Sequence, residues 1–165
     1  MEIDATARSV RLSVRELATF RQAPVETGAT AGPWRAAVGR EWHKTEESAA
    51  RDNAPGARFE VPVSAKWRHR DWLFDLQGRI DQIIPDGARL RLREVKTVRH
   101  PLPAEPAELA AAYADHFAQA AIYLALAKIL PDFKNGHNSA ELLFIDIDSG
   151  ARQRVPLAEV DAPLL

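Results

Sequence analysis

The sequence predicts an α/β domain built on a mixed β-sheet, and three observations carry that expectation. Two strand-like runs, 72–84 and 88–98, are separated by Asp86-Gly87, which supplies the backbone freedom a tight hairpin needs. A long Ala-rich run, 107–130, has helical spacing. Two more strand-like runs follow it, 140–147 and 153–157. A hairpin joins antiparallel strands, whereas a helix between strands of one sheet makes a crossover that joins parallel ones.

Ser13 and Glu16 have the spacing of a capping box, so a short helix is expected to run to about Arg21 and to stop before Pro24. After a loop with Gly28 and Gly32, Pro33 suits a helix start, and 34–51 follows with apolar residues at Trp34, Ala37, Val38 and Trp42. Pro55 and Gly56 break that helix. The run 59–65 alternates as a strand, placed near a sheet edge because Pro62 cannot donate to a ladder. The central hairpin comes next. Pro101, Pro103 and Pro106 then form a stiff connection into the long helix, which Pro131 closes. The last two strands turn around Ser149 and Gly150. The expected order is αα-βββ-α-ββ.

Composition bounds the function. The 165 residues suit one domain, and 46% hydrophobic with 27% charged residues is ordinary for a chain that folds. No apolar run approaches the roughly 18 residues of a membrane helix, and the first residues lack the order of a secretory signal, so no membrane association and a cytoplasmic location are expected. The absence of cysteine excludes disulfides, thiolate metal sites and thiol nucleophiles, leaving His, Asp and Glu as metal ligands. A formal charge of −1 gives a polyanion no overall attraction, so nucleic acid must be met by a local basic surface or through metal ions. Of the 22 basic residues 17 are Arg, which suits phosphate contacts but equally reflects compositional bias.

The hairpin gathers chemistry. Alternation puts Leu90, Leu92, Glu94 and Lys96 on one face, with Glu94 and Lys96 about 7 Å apart. If Pro85 pairs with Ala88, Asp81 lies opposite Leu92 and diagonal to Glu94 on that same face. Such a group is commonly a plain ion pair. On the long helix, however, His116, Gln119 and Tyr123 form one polar stripe amid Ala and Leu, and on the second helix Gly39 and His43 share a face, where a small residue permits close approach. Carboxylate oxygens at Asp81 and Glu94 suit Mg²⁺ or Mn²⁺, and an imidazole at His43 shifts the preference toward Mn²⁺. Such an ion polarises a phosphoryl oxygen, and Lys96 would orient water or steady the developing charge. No Gly-rich phosphate loop, HExxH or nucleophile elbow is present.

Gly39 to His43, Gly78 to Asp81, Glu94-Val95-Lys96 and Gln119 to Tyr123 resemble, in order and spacing, the GxxxH, GxxD, ExK and QxxxY motifs of the RecB-like branch of PD-(D/E)XK nucleases. The stretch 12–17 is also similar to the opening of nuclease domains attached to XPD/DinG-like DNA helicases. The resemblance implies a restriction-endonuclease-like core, a central mixed sheet flanked by helices. It implies one domain over 1–165, with an N-terminal helix and loop (1–32) and a catalytic core (33–165). His43, Asp81 and Glu94 would ligate metal with the Val95 carbonyl, Lys96 would be catalytic, and Gln119, Tyr123 and His116 would assist or contact DNA. The substrate implied is single-stranded DNA or DNA ends in repair or recombination, with a helicase in cis or in trans. Relatives that carry an iron–sulfur cluster have a Cys-Pro pair where Ala23-Pro24 stands here, so no cluster is expected. Two other readings stay open: a noncatalytic DNA-binding or assembly module, and a hydrolase of other phosphoesters.

Outside the motifs, Trp67, Arg68 and Arg70 interleave aromatic and basic groups as a single-strand stacking platform would, although a hairpin tip with its tryptophan folded toward the core explains them equally. Arg79 shares parity with Asp81 and is the better candidate for a phosphate contact, whereas Arg89, Arg91 and Arg93 face the other way.

Overall fold

The computed structural model describes residues 1–20, 33–98, 102–133 and 138–157. The expected helix end at Arg21, the Ala23-Pro24 position, the loop with Gly28 and Gly32, Pro101 and the side chain of Trp34 lie outside the described residues. Along the chain run β1 (Glu2–Asp4), β2 (Ser9–Ser13), α1 (Val14–Thr19), α2 (Pro33–Asn53), β3 (Arg58–His69), β4 (Trp72–Asp86), β5 (Arg89–Val98), α3 (Pro106–Ala112), α4 (Ala114–Ala127), β6 (Ser139–Asp146) and β7 (Arg152–Pro156).

Seven strands form one mixed sheet in the order β1-β2-β4-β5-β6-β7, with β3 paired to β4. As expected, β4 and β5 are antiparallel and α3 and α4 cross over to bring β6 parallel to β5. Pro62 lies on β3, whose ladder partner is β4 alone. Helices cover both faces. Ala120 on α4 and Leu109 on α3 pack with Leu142 and Phe144 of β6, and Tyr123, Leu126 and Ala127 of α4 pack with Leu76, Ile80, Ile83 and Leu92. Trp42 of α2 packs on the alternate residues Val95, Leu143 and Ile145. β6 is therefore apolar on both faces, as a covered parallel strand requires.

Four expectations need correction. The N-terminal segment supplies β1 and β2 as well as a helix: β2 lies parallel to β4 and runs directly into the capping box, where Ser13 and Glu16 bond each other's backbone N–H. The central hairpin closes on Asp86 and Arg89, not on Pro85 and Ala88, because Gly87 takes φ 62° inside the turn. That moves the register by two residues, so Leu92 faces Ile83, and Asp81 stands level with Glu94 instead of Leu92. The single long helix is two, broken at Tyr113 (φ −127°, ψ 40°). Neither Gly nor Pro marks the break; the Tyr113 ring stacks with His116 and leans on Phe144, and this packing overrides helical propensity. The Ala-rich run also leaves helix after Ala127 and passes through a 3-10 turn at Pro131–Phe133.

A change of ladder partner along β4 positions the site. On a single edge β4 pairs with β2 up to Gln77 and with β5 from Gln82, so residues 78–81 have no ladder partner there. These are Gly78, Arg79, Ile80 and Asp81.

Candidate active site

Backbone groups left open where a sheet changes partner must be satisfied otherwise. At this gap two side chains do it. The Tyr123 hydroxyl accepts the Arg79 N–H at 3.3 Å, and Asp81 Oδ2 accepts the Val95 N–H at 2.8 Å. Gly78 is what lets the first contact form: a Cβ there would lie 2.6 Å from the Tyr123 ring and 2.7 Å from Val14. The sheet gap thus opens a cleft of about 250 Å³ between α1, α2 and α4, lined by Arg15, His43, Asp81, Glu94, Val95, Lys96, Thr97, Asp115, His116 and Gln119 among others.

At its floor Lys96 Nζ donates to Glu94 Oε1 at 2.8 Å and to Gln119 Oε1 at 2.9 Å, while Gln119 Nε2 donates to the same Glu94 oxygen at 2.8 Å. This closed triangle fixes the lysine and one carboxylate oxygen. The other, Oε2, has no hydrogen-bond partner among the described residues although the Glu94 side chain is only 3% exposed. Burial, reinforced by the nearby Asp81 charge and opposed by Lys96, pushes the Glu94 carboxyl up to about 7. Burial also raises Asp81, against the opposing pull of His43.

His43 arrives from α2. Gly39, one turn earlier, comes against Thr97, where an added Cβ would stand 3.2 Å from its hydroxyl. Trp42 docks on the sheet, and buried Glu46 accepts from Arg152 at 2.7 Å. So anchored, His43 Nδ1 lies 3.8 Å from Asp81 Oδ2. His116, stacked with Tyr113 and 3.4 Å from Asp115, lines the cleft as a neutral imidazole, held at about 4 by burial and the Lys96 charge.

The sequence reading did not single out Glu60. It projects from β3 at φ 51°, and the flanking pairs Phe59 with Gln82 and Val61 with Ile80 put it opposite Asp81. Ligand atoms of His43, Glu60 and Asp81 lie within 4.8 Å of one another. Counting back from a two-residue turn between His69 and Trp72 would have placed it, but that turn is made by Arg70 and Asp71 at positive φ, without glycine to announce it.

Arg79 pairs with Glu60 at 3.1 Å. Trp67, Arg68 and Arg70 are not among the cleft residues: the Trp67 ring stacks on Phe74 at 5.3 Å, and Arg68 and Arg70 are exposed at the far hairpin. Arg93, on the face away from Glu94, is buried against Glu141 at 2.6 Å. The His43 imidazole and the Glu60 and Asp81 carboxylates, with the unpartnered buried Oε2 of Glu94 in the same cleft as His43 and Asp81, are a donor set that fits a divalent ion.

No helix among the described residues is long and apolar enough to cross a membrane. No curated protein sequence matches the chain significantly. The fold is similar to the crystal structure of SSO0001, with a TM-score of 0.60 and 20% identity over 88% of this chain and 67% of that one. A model of the PD-(D/E)XK nuclease superfamily matches residues 2–163, so that a mixed sheet, a partner gap holding Asp81 and a lysine locked to Glu94 stand in a chain that belongs to that superfamily of divalent-metal nucleases.

Proposed function

We propose that this is a metal-dependent deoxyribonuclease of the RecB-like branch, acting on single-stranded DNA or DNA ends in repair or recombination, with catalysis in the 33–165 region of a single domain. The observation that carries the reading is the pairing of a buried, unpartnered Glu94 oxygen with a fixed Lys96 in one cleft. An inert module has no use for a carboxylate that burial disfavours and nothing satisfies.

His43, Asp81 and Glu94 would hold Mg²⁺ or Mn²⁺, with the Val95 carbonyl as a further ligand; when bound, the ion supplies Lewis acidity at the scissile phosphate. The protein's own part is positional. Gln119 holds Lys96 toward the cleft and takes one Glu94 oxygen out of play, leaving Oε2 for the ion. The Lys96 ammonium steadies charge that develops on the phosphoryl oxygens. Tyr123 fixes the Arg79 backbone, and with it the stretch of β4 that presents Asp81. His116, which lines the cleft, and Arg79, two residues from Asp81, would make substrate contacts, with Trp67, Arg68 and Arg70 as outlying ones. A DNA helicase in cis or in trans and a cytoplasmic site of action complete the proposal.

The test is cleavage of end-labelled single-stranded and double-stranded DNA, RNA and bis-(p-nitrophenyl) phosphate, each with Mg²⁺, Mn²⁺ or EDTA. Metal-dependent cutting of DNA above the other substrates is expected. Binding of DNA without cleavage under every condition would make the chain an assembly module instead.

A further inference from the structure

Glu60, beside His43 and Asp81, is a carboxylate with two claims on it. Its Oε2 lies 3.1 Å from Arg79 Nε, yet a ligand atom of the same side chain lies within 4.8 Å of those of His43 and Asp81. Both partners of the ion pair are well exposed, Glu60 at 50% and Arg79 at 66%. Such a pair is weak and easily given up. The ion position beside it has independent support in the Glu94 Oε2 atom, 3% exposed as a side chain, unpartnered and lining the same cleft as His43 and Asp81.

We propose that Glu60 exchanges partners: it holds Arg79 in the metal-free chain and turns to the divalent ion when one binds, releasing the Arg79 guanidinium for a backbone phosphate of the substrate. The inference rests on the metal-centre reading above. Its chemical logic is that a divalent ion outcompetes an exposed guanidinium for a carboxylate, and that Arg79, two residues from Asp81 on the same strand face, is then released from Glu60 beside the centre. Substrate grip thereby becomes conditional on metal. By linkage, whatever Arg79 adds to DNA affinity must depend on the ion, and removing Arg79 must favour the ion.

Two measurements test it on the full chain. Mn²⁺ affinity is read by electron paramagnetic resonance of the free ion, and affinity for a fluorescent single-stranded oligonucleotide is read by anisotropy in Ca²⁺ and in EDTA. Glu60→Gln is expected to weaken Mn²⁺ about tenfold or more, and Arg79→Gln to tighten it by up to about fivefold as the competitor is lost. Arg79→Gln should weaken oligonucleotide binding in Ca²⁺ and leave it nearly unchanged in EDTA. Unaltered Mn²⁺ affinity in Glu60→Gln, or an equal Arg79→Gln loss with and without Ca²⁺, overturns the exchange and leaves the metal centre standing. Failure of the wild-type chain to bind Mn²⁺ removes both.

Discussion

Replacing Glu94 with Gln should stabilise the metal-free protein and destroy its response to metal. The side chain is 3% exposed, one oxygen accepts from Lys96 and Gln119, and the other has nothing. Its carboxyl stands at about 7 in the fold against an ordinary 4.5. The folded state therefore keeps a proton that the unfolded chain has lost, so wild-type stability falls as pH rises from 4.5 through 7, and the loss is complete above 7. The gap corresponds to about 3 kcal/mol. Gln imitates the protonated acid and keeps the contact to Lys96, so the variant should match wild type near pH 4 and exceed it at pH 8 in EDTA by about 3 kcal/mol, which is about 6–12 °C in midpoint for a chain of this size. Adding Mn²⁺ should reverse the order, since an ion that binds only the native state stabilises the wild type by RT ln(1 + [Mn²⁺]/Kd). The assay is thermal or urea unfolding at both pH values with EDTA or Mn²⁺. A variant no more stable than wild type at pH 8 in EDTA, or a wild type indifferent to Mn²⁺, is incompatible with a buried, metal-binding carboxylate at Glu94.

Other outcomes follow from the same geometry. Gly78→Ala forces a methyl to 2.6 Å from Tyr123 and 2.7 Å from Val14, and should cost about 1–3 kcal/mol in urea unfolding; wild-type stability would show that the close approach is not needed. His116, held at about 4 by burial and Lys96, should show no imidazole titration between pH 5 and 8 by NMR. Because its folded value is depressed, the stability it contributes is present above 6.5 and lost as pH falls toward 4, and Lys96→Met should move its titration upward. Tyr123→Phe leaves the Arg79 N–H unpaired and should cost about 1 kcal/mol, with a larger loss of Mn²⁺ affinity if the strand gap sets Asp81.

Much of this was legible in the residues, and the parts that were not share a cause. Alternation and the Asp86-Gly87 turn were enough to put Asp81, Glu94 and Lys96 on one face; helical spacing was enough to put Gln119 and Tyr123 on one stripe, and the motif resemblance, not the spacing, brought that stripe to them. The exact register was not, because Asp86-Gly87 and Gly87-Ala88 are both acceptable turn pairs and each selects a different partner for Asp81. β1 and β2 escaped notice because they are three and five residues long and β1 is exposed throughout, leaving no periodicity to read. Glu60 was hidden behind a turn that two non-glycine residues make at positive φ. The break at Tyr113 comes from aromatic packing across the fold, which local propensity does not encode. In each case the missing information is tertiary: which strand lies beside which, and where one stops.

Single-turnover cleavage by Lys96→Met, at Mn²⁺ saturation verified by direct binding, separates the lysine's part in cleavage from the holding of the ion. Lys96 is placed to act on the reacting phosphate and not to hold the ion, so the variant should keep Mn²⁺ affinity close to wild type and lose cleavage by about 10²–10³-fold or more. A variant that cuts DNA at the wild-type rate, or a wild type that binds Mn²⁺ and never cuts, would contradict the account.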